Sequence, residues 1–95
     1  MAIGVIQDFP GGTIAQYDEV IKRMGFQPGG SGAPGGIFHW VTKTPDGIRV
    51  IDVWQSREQF EKFAVEKIQP ITAQVGVPAP AKVEFFEVHN FLTKG

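Results

Sequence analysis

Apolar and polar residues alternate along Ala2–Phe9 as in a half-buried strand, and Pro10-Gly11-Gly12 ends the run. The period then lengthens: Ile14, Tyr17, Val20, Ile21 and Met24 recur at helical spacing. Thr13 is placed to cap that helix, Gln16 completes a capping box, and Gly25 is a natural stop. The spacing predicts a helix over Ile14–Met24. Two β-branched and aromatic runs, about Ile37–Lys43 and Ile48–Gln55, flank Thr44-Pro45-Asp46-Gly47 and read as a hairpin. Ser56 and Gln59 repeat the capping pair before a stripe of Phe60, Phe63, Ala64, Ile68, Ile71 and Val75. Pro70 interrupts that stripe, so a kink or short restart is expected there. Gly76 and Pro78-Ala79-Pro80 end it, a last strand follows at about Lys82–Asn90, and Phe91–Gly95 forms a tail able to dock on a partner.

The order β-α-β-β-α-β over one domain, residues 1–95, predicts an α+β fold. It is the ferredoxin-like plait, with right-handed crossovers and an antiparallel four-stranded sheet in the order 4-1-3-2. Helices cover one sheet face and leave the other bare. Between the first helix and the hairpin, Gly25–Gly36 is too rich in glycine for helix or packed strand. It reads as a flexible connector, or as a flap over a cavity. It lacks the Gly-Lys-Ser/Thr ending and the strand-to-helix setting of a phosphate loop.

Alternation sends Val50, Asp52 and Trp54 to one side of the sheet and Arg49, Ile51 and Val53 to the other. A carboxylate aimed into an aliphatic core costs several kcal/mol, so the Asp52 side is expected to be the bare one. Bulge-type closure of the turn pairs Thr44 with Ile48, sets Trp40 opposite Asp52 and Phe38 opposite Trp54, and leaves Ile37, Val41, Ile51 and Val53 for the helices. A one-residue slip instead sets His39 opposite Asp52. In the outer strands Gln7, Phe85, Glu87 and His89 are assigned to the bare face, because the opposite choice buries Glu87. The result is an aromatic face carrying carboxylates, histidines and an amide, which a second copy could cover sheet to sheet.

Composition narrows the field. A domain of 95 residues buries about two-thirds of its unfolded surface and is close to marginal. Its 8 Phe and 2 Trp suggest a second buried surface, such as a homodimer interface. A net charge of −1 offers no attraction for nucleic acid or an anionic membrane. No cysteine is present, so disulfides and thiolate metal sites are excluded. Gln7 and Asp8 come too early for a signal peptide or a span, so a cytoplasmic protein is expected.

The hairpin motifs Phe38-His39-Trp40 and Asp52-Val53-Trp54-Gln55-Ser56, with terminal Glu87-Val88-His89-Asn90-Phe91, resemble small dimeric α/β-barrel proteins. The nearest grouping is the antibiotic-biosynthesis-monooxygenase-like superfamily, and the resemblance covers nearly the whole chain. It implies a sheet-to-sheet homodimer with one cavity per subunit between the sheet and its helices or lid. Relatives include cofactor-independent monooxygenases of polycyclic phenols, haem-degrading enzymes, lactone isomerases and polyketide cyclases. They share no catalytic signature, so no catalytic residue carries over. The haem-degrading branch relies on a histidine in the second helix, and Ser56–Val75 has none.

From the residues themselves, Asp52 with His89 or His39 is the candidate acid/base pair. A structural hydrogen-bonded network across an interface is the competing reading. Trp40, Trp54, Phe38 and Phe85 would stack on a flat ligand or form an interface core, with Gln7 and Glu87 orienting polar groups. A metal site from His39, His89, Asp52 and Glu87 lacks His-x-His or Glu-x-x-His spacing, and none is assigned. Tyr17 reads as a half-buried core residue, and no serine lies in a nucleophile elbow. The expected function is binding of a small hydrophobic or aromatic metabolite in the lumen that two sheets enclose, with cofactor-independent oxygenation, isomerisation or cyclisation as its chemistry. A non-catalytic binding or interaction module is the alternative. Oxygenation without flavin or metal needs only a substrate that yields an electron once deprotonated, a base and a dry pocket.

Overall fold

The computed structural model describes residues 1–95. Strand β1 (Ile3–Pro10) leads to helix α1 (Ile14–Met24), then to strands β2 (Gly36–Lys43) and β3 (Gly47–Trp54). Helix α2 (Arg57–Phe63), a π-helical turn at Ala64–Ile68 and helix α3 (Gln69–Val75) run on without a break before β4 (Lys82–Glu87). All strand pairs are antiparallel, in the order β2-β3-β1-β4, which is the ferredoxin-like order expected from the sequence. No helix is long and apolar enough to cross a membrane.

Local chemistry explains most boundaries. Thr13 Oγ1 accepts from the Gln16 N–H while Gln16 Oε1 accepts from the Thr13 N–H, closing the capping box of α1. Gly25 ends that helix in the left-handed region, at φ 84°. Ser56 caps α2 through the Gln59 N–H. Pro70 has no N–H to donate, and the backbone widens just before it: the Gln69 N–H donates five residues back, to the Ala64 carbonyl. The expected irregularity is therefore a π turn that keeps the helix going, rather than a stop. The last strand ends at Glu87, three residues short of the expected Asn90.

The hairpin closes differently from the favoured expectation. Thr44 and Gly47 exchange both backbone hydrogen bonds, so Pro45 and Asp46 alone span the turn. Gly47 is needed there because a Cβ would overlap the Phe9 carbonyl oxygen of β1. Lys43 then lies opposite Ile48 and His39 opposite Asp52, the slipped register, and the bulge falls between Gly36 and Phe38 at the far end.

This register corrects the assignment of faces. Val50 packs with Phe9, Val20, Ile48 and Val77 in one core cluster, and Trp54 with Val5 and Phe60 in another. Both lie under the helices, so Asp52, between them on β3, lies there too. Gln7 and Phe85 belong to the same face, Gln7 beside Val50 and Phe85 beside Val5, and Glu87 follows at the end of β4. Ile51 and Val53, expected beneath the helices, take the open face with Phe38, Trp40 and Phe86. There Arg49 makes a two-pronged contact with Asp8, at 2.7 and 3.0 Å, and that bond holds the Asp8 carboxyl below its ordinary range.

Phe60 is the ring on which the second cluster turns, packed against both Trp54 and Phe85 at centroid distances of 5.6 and 5.7 Å. Phe60→Ala should cost about 3–5 kcal/mol, read as a lower midpoint in urea unfolding with an unchanged slope.

Candidate functional site

Asp52 is only 5 % exposed, yet neither carboxylate oxygen lacks a partner. Oδ1 accepts from His39 Nδ1 at 2.5 Å, the ring carried by the residue directly across the ladder on β2. Oδ2 accepts from the indole Nε1 of Trp54 at 3.1 Å, two residues along the same strand and so on the same face. The desolvation argument that placed Asp52 in the open held for a lone carboxylate. Two donors supplied by its own hairpin remove the penalty.

These bonds settle the histidine's chemistry. A carboxylate only accepts, so Nδ1 of His39 carries a proton, and in the neutral ring Nε2 presents its lone pair. Nε2 meets the phenolic oxygen of Tyr17, whose O–H donates to it. The two ring planes are nearly parallel, with an interplanar angle of 11°. Tyr17 reaches this place because the stripe of α1 that carries Val20 onto the sheet carries Tyr17 with it. Burial and then the Asp52 charge push the Tyr17 hydroxyl up to about 12. The order is thus Tyr17, His39, Asp52, Trp54, joined end to end.

The chain of groups lines a cavity of about 1060 Å³ between the sheet and the helices. Val50 and Trp54 form part of its floor, Met24 and Phe63 contribute from the helices, and the glycine-rich segment from Gly25 to Gly36 borders one side. The His39 side chain is 42 % exposed, so the relay is reachable from solvent. This size exceeds what a bicyclic or tricyclic molecule needs, and most of the lining is apolar.

The expected site residues separate into groups. Asp52, His39 and Trp54 come together. Phe38 and Trp40 share the open face with their register partners, Val53 and Ile51, so they are parted from Asp52 and touch the cavity only where β2 forms its edge. Gln7 is buried beneath the helices beside Val50, outside the cavity wall. Phe85 is taken up by Phe60 and by the Arg57 guanidinium, 3.8 Å from its ring centre. Glu87 is exposed at the end of β4 and His89 is exposed just beyond it, both away from Asp52. Tyr17 packs half-buried against the core as expected, but its bond to His39 was not foreseen. A hydroxyl in the otherwise apolar stripe of α1 was the available signal.

No protein-family model matches this sequence, and no curated protein matches it either. Solved structures do share the fold. A protein of Chloroflexus aurantiacus described as a candidate antibiotic biosynthesis monooxygenase superposes with a TM-score of 0.65 at 22 % identity, over 100 % of both chains. SnoaB, a cofactor-independent oxygenase of Streptomyces nogalater, gives 0.59 at 18 % identity over 98 % of this chain and 97 % of its own. The ActVA-Orf6 monooxygenase of Streptomyces coelicolor, solved with the ligand nanaomycin D, gives 0.59 at 16 % identity over 99 % and 92 %. The chain has the fold of the antibiotic biosynthesis monooxygenase-like proteins.

Tyr17 is the sole tyrosine, so ultraviolet absorbance of tyrosinate reports it alone. Its titration should centre near pH 12 rather than 10, and Asp52→Asn should lower the midpoint by removing a charge that raises it. Because the folded value lies above the unfolded one, the contribution of Tyr17 to stability should be present below pH 10 and fade between pH 10 and 12.

Proposed function

We propose that this chain is a cytoplasmic small-molecule enzyme of the antibiotic biosynthesis monooxygenase type, which binds a planar hydrophobic metabolite between its sheet and helices and removes a proton from it without a cofactor. The observation that carries the reading is the buried Asp52 carboxylate, wired through His39 to the wall of an apolar cavity. An imidazole whose Nδ1–H is held by a carboxylate keeps Nε2 as its acceptor and is fixed in orientation for proton transfer. Apolar walls keep bulk water from the deprotonated ligand. An electron-rich phenolate then reacts with dioxygen directly: one oxygen atom enters the ring as a carbonyl, and the other leaves as water with the two hydrogens lost from carbon and oxygen. Isomerisation or cyclisation starts from the same deprotonation, and the product identifies which occurs.

We also infer that two copies pair through the open sheet face. Phe38, Trp40 and Phe86 are 52 %, 46 % and 48 % exposed there, alongside Ile51 and Val53. A patch of that kind on a monomer is a contact waiting for a partner, and the resemblance to dimeric barrels makes a second copy the choice.

Trp40→Phe leaves Trp54 as the sole tryptophan, in the cavity wall. In that variant 2-methoxynaphthalene should quench the remaining fluorescence saturably, whereas a ligand bound to the open face should not. Polycyclic phenols incubated with dioxygen should gain one oxygen and lose two hydrogens, and His39→Ala should slow this about 10²–10⁴-fold with quenching retained. Absence of saturable quenching, or turnover indifferent to His39, would overturn the enzyme reading; saturable binding with no conversion would leave a binding module.

Sedimentation velocity checks the pairing. The wild-type chain should run as a dimer and Trp40→Glu as a monomer. A monomeric wild type at tens of micromolar rules the pairing out.

A further inference from the structure

The basic atom of His39 does not face the cavity unobstructed. Nδ1 is committed to Asp52 and Nε2 is covered by the Tyr17 hydroxyl, so the ring has no third nitrogen for a ligand. A ligand proton therefore reaches His39 either by displacing Tyr17 or by passing through it. Displacement is disfavoured by the parallel packing of the two rings and by the contact of Tyr17 with the core cluster. The phenolic oxygen keeps a free lone pair after donating its own hydrogen, and Tyr17 lines the cavity.

We propose that Tyr17 is the residue that meets the ligand's acidic hydrogen, receiving it on the phenolic oxygen as its own hydrogen passes to His39 Nε2. This rests on the cavity reading above and adds the contacting residue to it. The step balances. The ligand O–H bond breaks and a new Tyr17 O–H bond forms, while the old Tyr17 proton forms the second N–H of His39. The negative charge ends on the ligand and the positive charge on the imidazolium beside Asp52. Tyrosinate never accumulates, in keeping with a hydroxyl that holds its proton up to about pH 12. Tyr17 is thus a catalytic residue, His39 the store for the proton, and Asp52 the positioning residue.

A pair of probes differing only in that hydrogen tests the assignment without knowledge of the natural ligand. In the Trp40→Phe background, quenching of Trp54 gives the affinities of 2-naphthol and 2-methoxynaphthalene. The wild-type site should favour 2-naphthol about tenfold, the worth of one well-placed hydrogen bond. Tyr17→Phe should bring the two within about twofold, with 2-methoxynaphthalene bound as before, which also shows that the variant has kept its fold and cavity. His39→Ala should keep the preference for 2-naphthol, because the Tyr17 oxygen still accepts. The opposite pattern would overturn the proposal: a preference that grows in Tyr17→Phe, where Nε2 is uncovered, and vanishes in His39→Ala puts the ligand on His39 itself. Equal affinities of the two probes in the wild-type site overturn it too, and leave the cavity reading standing. Absence of quenching by either probe removes both.

Discussion

A buried carboxylate held by its own hairpin is the constraint on which the site depends. Asp52 lies beneath the helical layer between Val50 and Trp54, where an unpaired charge would cost several kcal/mol. It is tolerated because the cross-strand neighbour and the residue two places along supply one donor each. The His39 donor would be lost in the other hairpin register, since a slip by one residue turns its ring to the opposite face and leaves Trp54 as the only partner. Turn closure at Thr44 and Gly47, strand register and the protonation pattern of the histidine are therefore one fact seen at three levels. Gly47 anchors all of them through its close approach to Phe9.

Order and most boundaries were legible in the sequence because they rest on local chemistry, the end of β4 excepted. The Thr13 and Gln16 pair, the left-handed Gly25 and the Thr-Pro-Asp-Gly turn act within a few residues, and each lies where the pattern put it. Facing was harder to read. The middle of β3 is apolar on both sides of the pleat and carries one charged residue on each, Arg49 on one and Asp52 on the other. Alternation groups the residues correctly but does not say which group is inside. A desolvation penalty broke the tie in the wrong direction, because the donors that cancel it come from a register that was itself undecided. Arg49 was the better guide: its partner Asp8 sits across β1 on the open face.

The same inversion explains which candidate residues met and which did not. Asp52, Trp54, Gln7 and Phe85 were rightly placed on one face, and all of them went under the helices together. His89 fell outside because β4 stops at Glu87, before alternation can carry it back over the sheet. Tyr17 was passed over because a phenol in a helical stripe usually does no more than pack. Its stripe carries it onto the sheet, but the hairpin register, which no helical periodicity encodes, is what puts an imidazole within reach of its hydroxyl.

One wall of the cavity is the run from Gly25 to Gly36 between α1 and β2. Such a wall is mostly main chain and offers few side chains to fit the outline of a guest. The fixed outline of the chamber is set by the aromatic side chains of Trp54 and Phe63, and Phe26 of the run stacks on the Phe63 ring. At Gly32 in this run an added Cβ meets nothing within 4 Å, so a larger residue fits there without displacing the sheet. In this architecture one border of the chamber is loop and the other is the folding core itself, so the first can drift in sequence while the second stays put.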